Sequence, residues 1–238
     1  FFTCFFLTIC TIAHVIHAQS PAKNEMLDAA RAQKWNPKKG QYYFSHTLTY
    51  TYHNIEENSQ GEVKIWLDPV TGTMLFLKGS SYHNSNFEFI IGNPEGKYTF
   101  FETDDIGRKI ATSETLDEMM PDKQMIEDQK SEFKQNCIAK EGSRTDFGWT
   151  SRQYELLYPE LDSKDQVWLT EVPFNVYPLY GFDLIEAEVS LPISFDYSYI
   201  FGKNQLITEI FATEASMKLT AVEALPVTVE VAEYKEIK

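Results

Sequence analysis

The chain has 238 residues, 35 acidic against 21 basic side chains, a net charge of −14, a sequence pI near 4.8 and a mean hydropathy of −0.34. Repulsion makes nucleic acid and anionic membrane surfaces poor partners for so acidic a chain. Its length suffices for one domain held by its own core.

Residues 1–16 are mostly apolar, and the first charged side chain is Lys23. The run is shorter than the roughly 20 residues of a spanning helix. It ends in Ile16-His17-Ala18, which predicts a signal peptide over 1–18 with cleavage after Ala18; an uncleaved anchor is the rival reading. The expected protein is therefore exported, periplasmic or extracellular, with 19–238 as a single β-rich domain. Cys4 and Cys10 lie in the leader, so the mature chain keeps only Cys137 and forms no internal disulfide.

Residues 24–35 read as a first helix, with Met26, Leu27 and Ala30 as its apolar stripe and Asn36-Pro37 as its stop. From His46 to Tyr52 larger side chains alternate with threonines, the two-residue period of a strand, placing Leu48, Tyr50 and Tyr52 on one face. The same period predicts strands at 42–53, 62–68, 73–78, 86–91, 97–103 and 108–113. Turns such as Asp68-Pro69-Val70-Thr71-Gly72, Gly92-Asn93-Pro94-Glu95-Gly96 and Asp104-Asp105-Ile106-Gly107 join them. Connections this short imply antiparallel pairing, since parallel crossovers need a dozen or more residues. Residues 114–140 break the pattern with the helical spacing of Met125, Ile126, Phe133 and Cys137, ended by Gly142-Ser143. Strands resume at 153–158, 166–172, 184–189, 193–201, 205–213, 216–224 and 227–234. The expected fold is mainly β (α+β): a curled antiparallel sheet or half-barrel of about ten strands, with an N-terminal helix and a helical mid-segment covering one face.

The apolar face gathers Leu48, Tyr50, Tyr52, Ile65, Leu67, Phe87 and Phe89, joined by the aromatic ladder Phe195, Tyr197 and Tyr199. Met119, Met125, Ile126 and Phe133 belong to the helical cover, where flexible thioethers adapt to varied apolar surfaces. An incompletely filled space between sheet and helices would take an apolar small molecule or an acyl chain; a dry core is the simpler reading of the same pattern. Histidines at His46, His53 and His83 have no metal-ligand spacing, so no metal, cofactor or catalytic residue is assigned. Carboxylate pairs such as Asp104-Asp105 and Asp162/Asp165 leave a hydrolase as a distant third class. Trp35, Trp66, Trp149 and Trp168, with 13 tyrosines, keep carbohydrate binding open, Trp66 standing out on the polar side of its strand.

The order of elements, with Ala30-Arg31-Ala32-Gln33-Lys34 on the first helix, resembles the half-barrel lipoprotein-carrier superfamily typified by LolA and LolB. Gln166-Val167-Trp168-Leu169-Thr170 and the closing segment 227–234 resemble the DUF4412-type secreted proteins of Bacteroidetes. The chain departs from the carriers in lacking an assignable arginine between barrel and lid, with Arg31, Arg108, Arg144 and Arg152 as the choices. The resemblance implies a non-enzymatic protein that holds a lipid or other apolar ligand between sheet and helices, in envelope lipid or lipoprotein handling with an outer-envelope protein partner. The alternative is a secreted carbohydrate-binding or envelope interaction module.

Overall fold

The computed structural model describes residues 25–28, 39–55, 58–83, 86–116, 123–159, 162–182, 185, 191 and 201–237. The molecule is mostly β. Its strands are β1 (Gln41–Phe44), β2 (His46–Asn54), β3 (Ser59–Asp68), β4 (Thr73–Leu77), β5 (Phe89–Gly92), β6 (Lys97–Thr103) and β7 (Lys109–Thr115), then β8 (Cys137–Asp146), β9 (Trp149–Tyr158), β10 (Ser163–Glu171), β11 (Gln205–Phe211), β12 (Ala215–Glu223), β13 (Val227–Glu230) and β14 (Lys235–Glu236). Twelve of them form one curled, open sheet in the order β14-β7-β6-β5-β4-β3-β2-β12-β11-β10-β9-β8. All its pairings are antiparallel except the two-residue contact of β14 with β7.

The path explains that order. The chain starts at the sheet's centre in β2 and meanders outward to β7, then enters the opposite edge as β8 and meanders back to β12. There β12 pairs with β2 over Ala215–Glu223 and Asn54–Thr47, joining the two meanders. Between β10 and β11 the chain leaves the sheet at Val172 and crosses its inner face. Phe182 is fully buried there, 4.3 Å ring to ring from Phe76 and 6.2 Å from both Tyr82 and Tyr98. Burying one such ring contributes about 1.5–3 kcal/mol before packing is counted.

Buried tyrosines must bond their hydroxyls, and here two of them tie this crossing to the strands while Tyr50 ties β2 to β11 across the core. Tyr98 Oη donates to Pro178 O at 2.8 Å, Tyr180 Oη to Gln205 O at 2.5 Å, and Tyr50 Oη to Ile207 O at 3.0 Å. Gly92 sits opposite Tyr98 in the β5–β6 ladder, where a Cβ would lie 2.6 Å from the Tyr98 ring. Only a residue without a side chain lets that ring lie across the strand.

The other face of the sheet carries a second core. Leu75, Phe89, Ile91, Phe101 and Ala111 are buried under a two-stranded ribbon made by β1 and β13, which contributes its own Phe44 to the core, with Trp66, Val229 and Tyr234 packed around them. This layer corrects three expectations. The strand over 42–53 divides at Ser45, because β1 leaves the sheet to pair with β13 (Tyr42 opposite Val229). Phe87 and Phe89 lie on opposite faces. Pairing with β6 begins only at Phe89, so the two-residue period does not extend back to Phe87, which turns inward to Phe100 at 4.8 Å while Phe89 stacks on Phe101 at 4.6 Å. Trp66, on the side read as polar, is half-buried against the ribbon core.

The mid-segment helix spans Lys123–Asn136, and the chain then passes directly into β8. Cys137 therefore begins a strand; its cross-strand pairing with Leu156 overrides the helical pattern that extends to 140 in the sequence. The 24–35 helix is described only at 25–28, which are helical with Met26 buried. The expected strands at 184–189 and 193–201 lie outside the described residues except at Ile185 and Phe201. The turn at Gly202-Lys203-Asn204 leads into β11, whose two sheet neighbours are β10 and β12.

Candidate functional site: a hydroxyl-lined cleft beside the ribbon

The apolar-ligand candidates separate into four groups. Leu48, Tyr50, Ile65 and Leu67 are fully buried in the inner core, with Tyr52 and Phe87 half-buried against it. Phe89 belongs to the ribbon core. On the helix, Phe133 is half-buried and meets Phe201 edge-on at 5.1 Å, Ile126 is half-buried, and Met125 is 49% exposed. Met119, Phe195, Tyr197 and Tyr199 lie outside the described residues.

A different set of side chains comes together at the rim of the ribbon. Tyr42 on β1, Thr71 and Thr73 at the β3–β4 turn, Ile91 on β5, Asn93, Pro94 and Glu95 in the β5–β6 turn, and Lys97 and Thr99 on β6 line a part-open cleft of about 400 Å³. That volume falls in the usual range for small-molecule sites, about 300–1,000 Å³. Local folding dictates who faces it. Gly72 closes the β3–β4 turn with φ +76° and donates its N–H to Asp68 O at 2.8 Å. Asp68 is itself buried and accepts from the Thr71 hydroxyl at 2.6 Å and from Val70 N at 3.1 Å. These bonds fix Thr71, whose Oγ1 lies 3.0 Å from Thr73 Oγ1. Across the floor, Thr99 Oγ1 and Ser113 Oγ are 3.0 Å apart, and Asn93 Oδ1 accepts from Lys97 N at 3.0 Å.

The lining combines apolar, hydroxyl and charged side chains. Tyr42 supplies an aromatic wall, and its partial burial raises its phenol pKa and keeps it neutral. Pro94 and Ile91 supply apolar surface, and the threonine hydroxyls act as both donors and acceptors. Glu95 and Lys97 bring one charge of each sign. Sequence reasoning missed the set because its members are scattered from Tyr42 to Thr99, and four of the nine belong to turns read only as connections. The available signal was the apolar character of both Met74-Leu75-Phe76-Leu77 and Phe89-Ile90-Ile91, which requires a cover on each face and hence a rim where that cover stops.

A second, smaller cleft of about 200 Å³ lies at the β8 bulge, lined by residues 139–143 and Arg152, Gln153 and Tyr154. Nearby, the guanidinium of Arg144 covers the Trp168 ring at 4.3 Å and pairs with Glu209, with Asp146 2.9 Å away. Trp168 is thereby engaged by its own chain. Trp149 is buried in the inner core, and Trp35 lies outside the described residues. Of the carboxylates, Asp104 caps its hairpin by accepting from Arg108 N and Ile106 N, and those bonds lower its pKa. Asp165 accepts from Tyr158 Oη at 3.0 Å, and burial raises its pKa. Cys137 is half-buried, which raises its thiol pKa. Among the described residues no three His, Cys, Asp or Glu side chains approach closely enough to share a metal ion, and no helix is long and apolar enough to cross a membrane.

No family model and no curated protein matches the chain. Among solved structures, two of PNGF-II in different space groups align with it over 82% and 76% of its length, at 11% and 10% identity and TM-scores of 0.39 and 0.36. The chain spans 31% and 27% of those proteins, under a third of their length. Likeness at this level carries no inference about fold or activity.

Proposed function

We propose that this chain is an exported, non-enzymatic binding module that takes a short saccharide segment in the cleft beside the ribbon. The observation that carries this reading is the lining itself: one tyrosine and three threonines around a part-open space of about 400 Å³. Sugar rings present apolar C–H faces and hydroxyl edges, the pattern that an aromatic wall with neutral donors and acceptors complements. Calorimetric titration with maltotriose, cellotriose, mannotriose and chitotriose tests it. At least one should bind, and Tyr42→Ala should weaken that binding tenfold or more, about 1.4 kcal/mol. Absence of binding across the panel and a wider glycan array ends the proposal.

A second reading, the lipid carrier, is favoured by one feature, the Lys123–Asn136 helix. It leaves Met125 exposed and holds Ile126 and Phe133 only half-buried, as a lid over an apolar guest would. It ranks lower because Leu48, Tyr50, Ile65 and Leu67 are already covered by the chain's own side chains. Native mass spectrometry of the purified protein distinguishes the two readings: co-purifying acyl material would favour the carrier.

A further inference from the structure

The cleft's aromatic wall has an unusual support. Tyr42 stands on β1, and among the described residues β1 pairs with β13 alone, in a two-stranded unit distinct from the twelve-stranded sheet. The position of Tyr42 is therefore set in part by residues at the far end of the sequence, which supply the strand that β1 pairs with. Gln41 Nε2 donates to Glu230 Oε1 at 2.7 Å, Val231 N donates to Gly40 O at 2.7 Å, and Gly40 has φ +69° with Ala232 so close that a Cβ would lie 2.7 Å from its backbone nitrogen. Beyond the ribbon, Tyr234 is clamped edge-on by Phe89 at 5.7 Å and Phe101 at 5.1 Å, and its hydroxyl donates to Glu88 at 2.7 Å. Lys109 lies 5.3 Å from the same ring and pairs with Glu233 at 2.8 Å. On β14, Glu236 approaches Lys97, a second lining residue, at 3.7 Å.

We infer that residues 227–237 are the positioning element of the cleft: they supply none of its lining yet place Tyr42 through β13 and engage Lys97 through Glu236. The inference rests on the cleft being the ligand site. Because coupling between binding and ribbon docking is reciprocal, a bound saccharide stabilises the ribbon as much as the ribbon stabilises binding.

The test uses the full chain and whichever of maltotriose, cellotriose, mannotriose or chitotriose binds most tightly. Tyr234→Ala loosens the anchor without touching the lining and should weaken affinity at least fivefold; Glu88→Gln, a milder surface change at the same anchor, should weaken it about twofold. In wild type, hydrogen exchange at the Val231 amide and along β13 should slow when the trisaccharide is added, which a merely structural ribbon would not show. Unchanged exchange there, together with unchanged affinity in both variants, overturns the inference while leaving the cleft standing as a binding site. A wild type that binds no member of the panel removes both.

Discussion

The two halves of the sheet are buried in different ways. In β4 and β5 nearly every side chain is buried: Thr73 to Phe76 and Phe89 to Gly92 are covered on both faces, inward by the β10–β11 crossing and outward by the ribbon. In β12 burial alternates, whereas β11 buries Leu206, Ile207 and Thr208 in succession and opens to water only at Phe211. Leu206, Ile210, Met217 and Leu219 point inward, while Phe211, Lys218 and Thr220 face water. One continuous ladder thus combines a three-layer region with a two-layer region, and the cleft forms at the rim of the added layer. The difference shows in the chain itself, as unbroken apolar runs in the first case and alternation along β12 in the second.

Substitutions on the two halves should separate widely. Phe76→Ala, which removes the partner of Phe182 in the inner core, should cost about 3–5 kcal/mol in urea unfolding. Leu75→Ala on the opposite face of the same strand should still cost about 2–4 kcal/mol, because the ribbon covers it. Phe211→Ala, 61% exposed on β11, should fall within about 0.5 kcal/mol of wild type. Equal costs at Leu75 and Phe211 would break the comparison.

Gly92→Ala sharpens it further, since a methyl 2.6 Å from the Tyr98 ring must disturb the bond to Pro178 O. The near-UV circular dichroism of the tyrosines should change, with a stability loss of about 1–3 kcal/mol. The smallest effect is one of pH. His46 is buried beside Ser45, with Oγ and Nδ1 2.7 Å apart, and burial lowers its pKa below the ordinary imidazole value. The unfolded chain therefore binds the proton more readily, so stability should fall as pH drops below about 6.5. His46→Gln should flatten that part of the unfolding profile; an unchanged slope would show that His46 does not produce it.

Much of the sheet is legible in the sequence because periodicity reports which side chains share a face. The expected 97–103 strand coincides with β6, and the turns at Asp68–Gly72 and Asp104–Gly107 join the strands on either side of them. What periodicity cannot report is which distant element covers a face. Phe44 and Tyr42 continue the alternation of 46–52 yet belong to a ribbon whose partner strand comes at 227–230. Likewise Cys137 completes a helical spacing but pairs as a strand, since the decision lies with β9. The cleft is hidden from the sequence for the same reason: its wall and floor meet only once β1 and β13 have paired.

Amide chemical shifts recorded while the four trisaccharides are titrated into the intact protein test the central claim most directly. Binding in the cleft predicts saturable shifts at Ile91, Asn93, Lys97 and Thr99, with the β8–β12 face around Trp168 and Phe211 unmoved. Shifts confined to that face, or to the Lys123–Asn136 helix, would contradict it.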